Sequence, residues 1–97
     1  MDFKELTSKM MKKLAKADKY IEKAEHCEDK EIAKIYYKMA QDNYEVFLML
    51  HKLTPDKARE YLGEEFNTQD KMFEVMHGLL INWGAEVKKD IDNLKIV

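Results

Sequence analysis

The chain has 97 residues, of which 45% are apolar and 37% charged, with three glycines, one proline and one cysteine. This composition is typical of a helical bundle, so we expect one domain over residues 1–97, without long disordered tails or a deep enclosed active site. The net charge of −2, the single Cys27 and the absence of a ~20-residue apolar run argue against an electrostatic nucleic-acid binder, a disulfide-stapled secreted protein and a membrane span, and we expect a cytoplasmic protein.

Apolar residues at steps of three and four predict a first helix over about residues 3–25. Its stripe is Phe3, Leu6, Met10, Leu14, Ala17, Ile21 and Ala24. A second helix follows the polar linker at 28–30, and because the linker is short we expect the two helices to be antiparallel neighbours. The predicted stripe of the second helix is Ile32, Tyr36, Met39, Asn43, Val46, Leu50 and Leu53.

The rest of the chain predicts one short and one long helix. Thr54 as the cap and Pro55 at the first helical position mark the start of the short helix, and Gly63 marks its end. Asn67 or Thr68 then caps a final helix of about 26 residues, the longest in the chain. The stripe of this last helix is Phe73, Met76, Leu80, Gly84, Val87, Ile91 and Leu94.

A second apolar row lies beside that stripe on the last helix. Together with a neighbouring methionine it forms the predicted interface, which comprises Met72, Val75, Met76, Leu79 and Trp83. Three long helices leave a four-helix arrangement incomplete, so we expect an all-α antiparallel bundle of three long helices and one short helix, completed by homodimerisation. The alternative is a self-sufficient three-helix bundle in which the short helix covers the extra row.

The two ends of the chain differ in charge. Residues 1–24 carry seven lysines and four acidic residues, a charge of +3, which leaves −5 for the rest. Lys9, Lys12, Lys13 and Lys16 are suited to contact phosphates or an anionic membrane, but acids alternate with bases nearby and no aromatic residue lies between these lysines to stack on bases. We interpret these lysines as a solvated face.

One Glu-x-x-His pair, Glu74 and His77, has the spacing that puts two metal ligands on one helix face. With Glu86, these residues are the candidates for a metal site. A di-iron carboxylate centre needs a second such pair, which Asn43 and Val46 in the second helix cannot supply, and bridging carboxylates, whereas the inward residues of the first helix are aliphatic. We therefore predict no metal and no cofactor, and interpret His77 as a residue at the edge of the core.

The other chemistry-bearing residues are isolated in the sequence. His26 lies beside Cys27, two ligands short of a zinc site. His51, at the end of the second helix, is placed to bond the last free carbonyls and to complement the helix dipole. Ser8 and Cys27 lack a partner base, and the sequence has no glycine-rich phosphate loop. We predict no catalytic residue and no enzymatic activity.

Three segments resemble the small ferritin-like helical proteins encoded by phages and prophages of Gram-positive bacteria: KYIEKA at 19–24, AKIYYKMAQDNYEVFLMLHK at 33–52 and FEVMHGLLINWGAEVKKDIDNL at 73–94. The resemblance implies a ferritin-like bundle. Four residues match histidine or acidic positions of that family, namely His51, Glu74, His77 and Glu86. The family's Glu-x-x-His pair in the second helix falls on Asn43 and Val46, and a first-helix glutamate falls near Lys13, so the resemblance also implies that the iron chemistry has been lost.

Asn43 has two interpretations. As a polar peg in an apolar seam, its carboxamide would bond a partner across the bundle and fix register and oligomeric state, since burial without a partner costs roughly 1–3 kcal/mol. Alternatively, helix rotation places Asn43 at the margin of the stripe.

Three functions are compatible with the sequence. We expect a non-enzymatic, phage-derived interaction protein that docks onto a protein partner, for example as an inhibitor of a host defence or CRISPR component. The first alternative is a ferritin-like metal-binding protein with a reduced carboxylate and histidine site. The second is a basic-helix adaptor for nucleic acid or a membrane surface.

Overall fold

The computed structural model describes the backbone of residues 3–57 and 71–94 and the side chains of 3–57 and 75–94. In these ranges the chain is helical apart from short connections and contains no strand. The long helices are α1 (Phe3–Glu25), α2 (Lys30–His51) and α4 (Lys71–Asn93), and residues 54–57 form a helical turn, α3. The all-α prediction with three long helices is confirmed.

The predicted bounds hold well for the first half of the chain. The bounds of α1 match the prediction, and α3 begins at Thr54, one residue before the predicted start. Helix α4 is described over 23 residues, and the residues just before Lys71, where the predicted helix of about 26 residues begins, lie outside the described ranges. The predicted helix end at Gly63 and the predicted cap at Asn67 or Thr68 lie outside the described residues.

Helices α1 and α2 are antiparallel and pack closely. Tyr20, late in α1, stacks on Tyr36, early in α2, with ring centroids 6.1 Å apart. At the opposite end, the Thr54 hydroxyl just after α2 lies 3.8 Å from the Met10 sulfur. The turn between the helices is held by Asp29, whose carboxylate accepts hydrogen bonds from two backbone N–H groups in the first turn of α2.

The inner face of α1 has the predicted composition. Seven predicted stripe residues are buried, and Thr7 joins them with its hydroxyl bonded to the Phe3 carbonyl. The remaining positions of α1 are mostly polar, so its apolar stripe could be assigned to the interior without ambiguity.

The predicted stripe of α2 was wrong by one position. The buried residues are Ala33, Ala40 and Phe47, whereas three predicted members, Ile32, Val46 and Leu53, are between 36% and 46% exposed. Two alanines on the inner face let α2 approach α1 closely, because a methyl group requires little space between helices. The larger aliphatic residues of α2 are therefore on its outer side.

Helix α4 runs antiparallel to α2 and buries most of its predicted stripe. Leu80, Gly84, Val87 and Ile91 are buried, with Met76 and Leu94 partly buried beside them. A Cβ atom on Gly84 would lie 2.8 Å from the Phe47 ring, so glycine permits this close contact between α2 and α4. The side chain of Phe73 is outside the described residues.

Candidate functional site

Two histidines that are 26 residues apart meet where α2 and α4 pack together. The Nε2 atoms of His51 and His77 are 3.0 Å apart, and the rings stack with centroids 5.0 Å apart and planes within 7°. Phe47 lies against the other side, 6.0 Å from the His51 ring centroid. From the residues alone, His51 was predicted to cap α2 and His77 to lie at the edge of the core. The resemblance was the signal for the pair, because it matched both residues to histidine positions.

The contact constrains the protonation of the pair. A hydrogen bond between two Nε2 atoms requires one ring to donate and the other to accept, so at least one imidazole is neutral. Burial, reinforced by the neighbouring His77, lowers the pKa of His51. The expected role of His51 in capping the last carbonyls of α2 was wrong, since its ring faces α4 and the Lys52 N–H bonds the Leu48 and Leu50 carbonyls.

The described side chains do not form a di-iron carboxylate centre. Among the described side chains, no group of three or more His, Cys, Asp or Glu residues could hold a metal ion. Glu86 follows His77 by nine residues on α4, which places it on the opposite face and about 13 Å along the axis. The side chain of Glu74 is outside the described residues. The histidine pair therefore supplies two nitrogen donors, which are too few ligands for the di-iron carboxylate centre of ferritin-like proteins.

Asn43 lies at the margin of the buried face of α2. Its side chain is half-buried, and the amide donates a hydrogen bond of 2.8 Å to the Met39 carbonyl of the same helix. Within one chain this contact supports the second interpretation, in which Asn43 lies at the margin of the apolar stripe. The amide bonds its own helix and not a neighbouring one. Its role as a peg between two copies stays a prediction.

The five predicted interface residues of α4 are in different environments. Val75 and Leu79 are 63% and 66% exposed. Met76 packs against the core, and Trp83 is partly buried with its indole N–H donating to an Asp18 carboxylate oxygen at 2.6 Å. Met72 has no described side chain. An outward apolar row on α4, defined here as Val75 and Leu79, remains available for contact.

A longer apolar row lies on the outer side of α2. It consists of Ile32, Ile35, Met39, Val46, Met49 and Leu53, here called the outer row of α2. All but the half-buried Met39 are at least 36% exposed, with Met49 at 66% and Ile35 at 58%. Several of these residues belong to the predicted inward stripe of α2. Their exposure shows that α2 has two apolar faces and that the chain covers one of them.

The outer side of α1 is basic. Lys9, Lys12, Lys16, Lys19 and Lys23 are exposed at steps of three and four, which aligns them along one side of the helix. The Lys23 ammonium lies 5.5 Å from the centroid of the Tyr36 ring. Lys13, included in the predicted basic group, is half-buried at the edge of this row.

The grooves between α2 and α4 are shallow and largely apolar. One, of about 220 Å³, is lined by Tyr44, Phe47, Leu48, His51, Ile81, Gly84 and Ala85. Another, of about 230 Å³, lies further along the same two helices, where Lys88 pairs with Asp92. Neither groove brings a serine or cysteine nucleophile next to a base.

No known protein family, curated protein or solved structure matches this chain. Within the described helices, no stretch combines the length and the apolar character needed to cross a bilayer.

Proposed function

We propose that the protein is a non-enzymatic interaction protein that binds other protein chains through the outward apolar faces of α2 and α4. The observation that supports this proposal is the exposure of large aliphatic side chains in rows on these two helices. Scattered exposed apolar residues are ordinary on a protein surface, but contiguous rows along a helix are typical of contact surfaces.

The exposed large apolar residues are unevenly distributed over the three long helices. Of the exposed large apolar residues in the described ranges, α1 carries Met11 alone, while the others are on α2, on the segment just after it and on α4. The outer face of α1 is therefore lysine-rich, and the outer faces of α2 and α4 are aliphatic. A folded partner, or a helix of one, could cover an aliphatic face and remove it from water, which contributes about 25 cal/mol per Å² of apolar surface.

The interior offers little support for a chemical function. The two histidines that meet between α2 and α4, His51 and His77, bond each other. The resemblance to phage-encoded proteins suggests a host defence component as the partner, and the proposal does not depend on that identity.

The test is affinity capture with the full chain from a host lysate, followed by binding measurements with the purified captured protein. Val75→Lys combined with Leu79→Lys places two charges in the outward row of α4 and should weaken binding at least tenfold. The matched control is Ser8→Lys combined with Ala15→Lys, which adds the same charge at exposed positions of α1. Equal binding by both double variants would contradict this assignment of the α4 row.

A second candidate function is polyanion binding by α1. Its specific support is the exposed lysine row from Lys9 to Lys23. If five lysines contact phosphates, the logarithm of the DNA-binding constant should fall with the logarithm of salt concentration with a slope of about −4.5. The salt dependence of DNA binding is measured by a mobility shift assay on wild type and on the double variant Lys12→Glu, Lys16→Glu. A shift that is insensitive to salt and to the double variant would exclude the second candidate.

The metal-binding alternative has its own readout. Elemental analysis of the purified protein measures bound metal. Binding titrations of Zn²⁺ and Fe²⁺ into wild type and His51→Gln then test whether metal binding depends on the histidine pair. Stoichiometric metal, retained through gel filtration and lost in His51→Gln, would favour a metal site over an interaction protein.

A further inference from the structure

We propose that the outer row of α2 binds a second copy of this chain, with the two α2 helices antiparallel across a twofold axis near residues 40 and 41. This inference rests on the proposed function and names the partner of one of its two faces. The spacing of the row, its exposure and the charges beside it support this pairing.

The spacing of the outer row is that of a coiled-coil seam. From Ile32 to Leu53 the steps along the chain are three, four, three, four, three and four when Asp42 is included between Met39 and Val46. A seam of this kind needs apolar residues at every first and fourth position of a heptad. Six of its seven positions are apolar, and the exposure of the row leaves the seam open on the folded chain.

Alternating charges border the seam on one side. The residues that precede the first positions of the successive heptads are Glu31, Lys38, Glu45 and Lys52, and all four are exposed. In an antiparallel pair these flanking positions of the two helices face each other. Glu31 then faces Lys52 of the second copy and Lys38 faces Glu45 of the second copy, so twofold symmetry produces four opposite-charge pairs.

A parallel pair would lack this complementarity. There, the same charged positions face the residues that follow the fourth heptad positions, which are Tyr36, Asn43 and Leu50. None of these three is charged. The charge pattern therefore favours the antiparallel orientation, and it does so for a second copy of the chain because the pattern is complementary to itself.

The same antiparallel register determines which apolar residues of the two copies pack together. Ile32 packs with Met49 of the second copy, Ile35 packs with Val46 of the second copy, and Met39 packs beside Asp42 of the second copy at the centre. Asp42 is paired with Lys38 at 3.0 Å, which supplies a counter-charge where the carboxylate enters the seam. On the other flank, Asn43 lies opposite Tyr36 of the second copy.

A charge-swap experiment tests the register. Dissociation constants are measured by sedimentation equilibrium for wild type, Lys38→Glu, Glu45→Lys and the double variant. Each single change sets like charges opposite each other at two symmetric places and should raise the dissociation constant about tenfold. The double variant restores opposite charges and should lie within about threefold of wild type. Lys30→Glu, exposed on the same helix but off the seam, is the control for charge and should stay near wild type.

Each outcome decides the question. A monomeric wild type at about 100 µM, single variants that dimerise as well as wild type, or a double variant no better than the single ones would each overturn the antiparallel α2 pairing. Circular dichroism on all variants shows whether a weakened dimer reflects loss of the fold. If α2 pairing fails while capture still depends on Val75 and Leu79, the proposed function stands without this inference.

Discussion

Gly84 is the position where a single atom decides how closely α2 and α4 pack. In Gly84→Ala the new methyl group meets the buried Phe47 ring at 2.8 Å, whereas in Gly78→Ala it meets nothing within 4 Å. Both substitutions gain about 1 kcal/mol of helix propensity, which cancels in the comparison. We therefore expect Gly84→Ala to be less stable than Gly78→Ala by about 1–3 kcal/mol in urea unfolding. Equal stabilities would contradict the close packing at Gly84.

The histidine pair makes stability depend on pH in a defined direction. Because the pKa of His51 in the folded chain lies below 6.5, its unfolded-state value, the unfolded chain takes up the proton first as pH falls. The stabilising contribution is therefore present above pH 6.5 and is lost as pH falls through the lower folded pKa. The free energy of unfolding should decrease from pH 7.5 to pH 5, and by less than for a fully buried group because the ring is partly exposed.

Substitution of His51 tests whether this residue causes the pH dependence of stability. His51→Gln should flatten the pH dependence of the free energy of unfolding, while His26→Gln, at an exposed position between α1 and α2, should leave it unchanged. The measurement is urea unfolding at several pH values between 5 and 8. A profile in His51→Gln as steep as that of wild type would assign the dependence to other residues.

Residue-scale contacts were predicted least well from the sequence. His51 and His77 are 26 residues apart, and Trp83 and Asp18 are 65 apart. Local spacing shows which face of a helix a side chain lies on, but not which residue of another helix it meets. The register between helices is set by packing of the whole interface, and no short segment contains that information.

At the scale of single helices, the Asp29 cap is the feature with the most direct test. Its carboxylate accepts from the Glu31 and Ile32 N–H groups at 2.9 and 3.2 Å. Asp29→Ala leaves these two donors to water and should lower the free energy of unfolding by about 0.5–2 kcal/mol. Glu28→Ala, one residue earlier and exposed, should change it by less than about 0.5 kcal/mol. Similar losses in both variants would show that the cap does not stabilise α2.

The contrast between α1 and α2 shows when the spacing of apolar residues predicts the buried face of a helix. One face of α1 is apolar and the other is rich in lysine, so spacing identified its buried residues. On α2 the row at Ala33, Ala40 and Phe47 and the outer row both follow helical spacing, and the outer row contains the larger side chains. Spacing selected a stripe one position away from the buried row, because two rows fit the spacing and the interior next to α1 accommodates small residues.

At the scale of the whole molecule, the described part of the fold leaves rows of large apolar side chains uncovered. Half of the ten residues in the core cluster come from α1, while α2 and α4 keep aliphatic side chains in contact with solvent. The all-helical class could be predicted from composition and spacing. The uncovered face of α2 could not, because it depends on which of two similar rows turned inward.

The mass of the protein in solution tests the central claim most directly. Sedimentation equilibrium on the wild-type chain at pH 7.5, from about 1 to 100 µM, should show a reversible approach to twice the monomer mass of 11.6 kDa. Val46→Lys, which places a charge in the outer row of α2, should remain at the monomer mass with an unchanged circular dichroism spectrum. A wild-type chain that stays at 11.6 kDa over the whole range, or a Val46→Lys variant that still dimerises, would contradict the account.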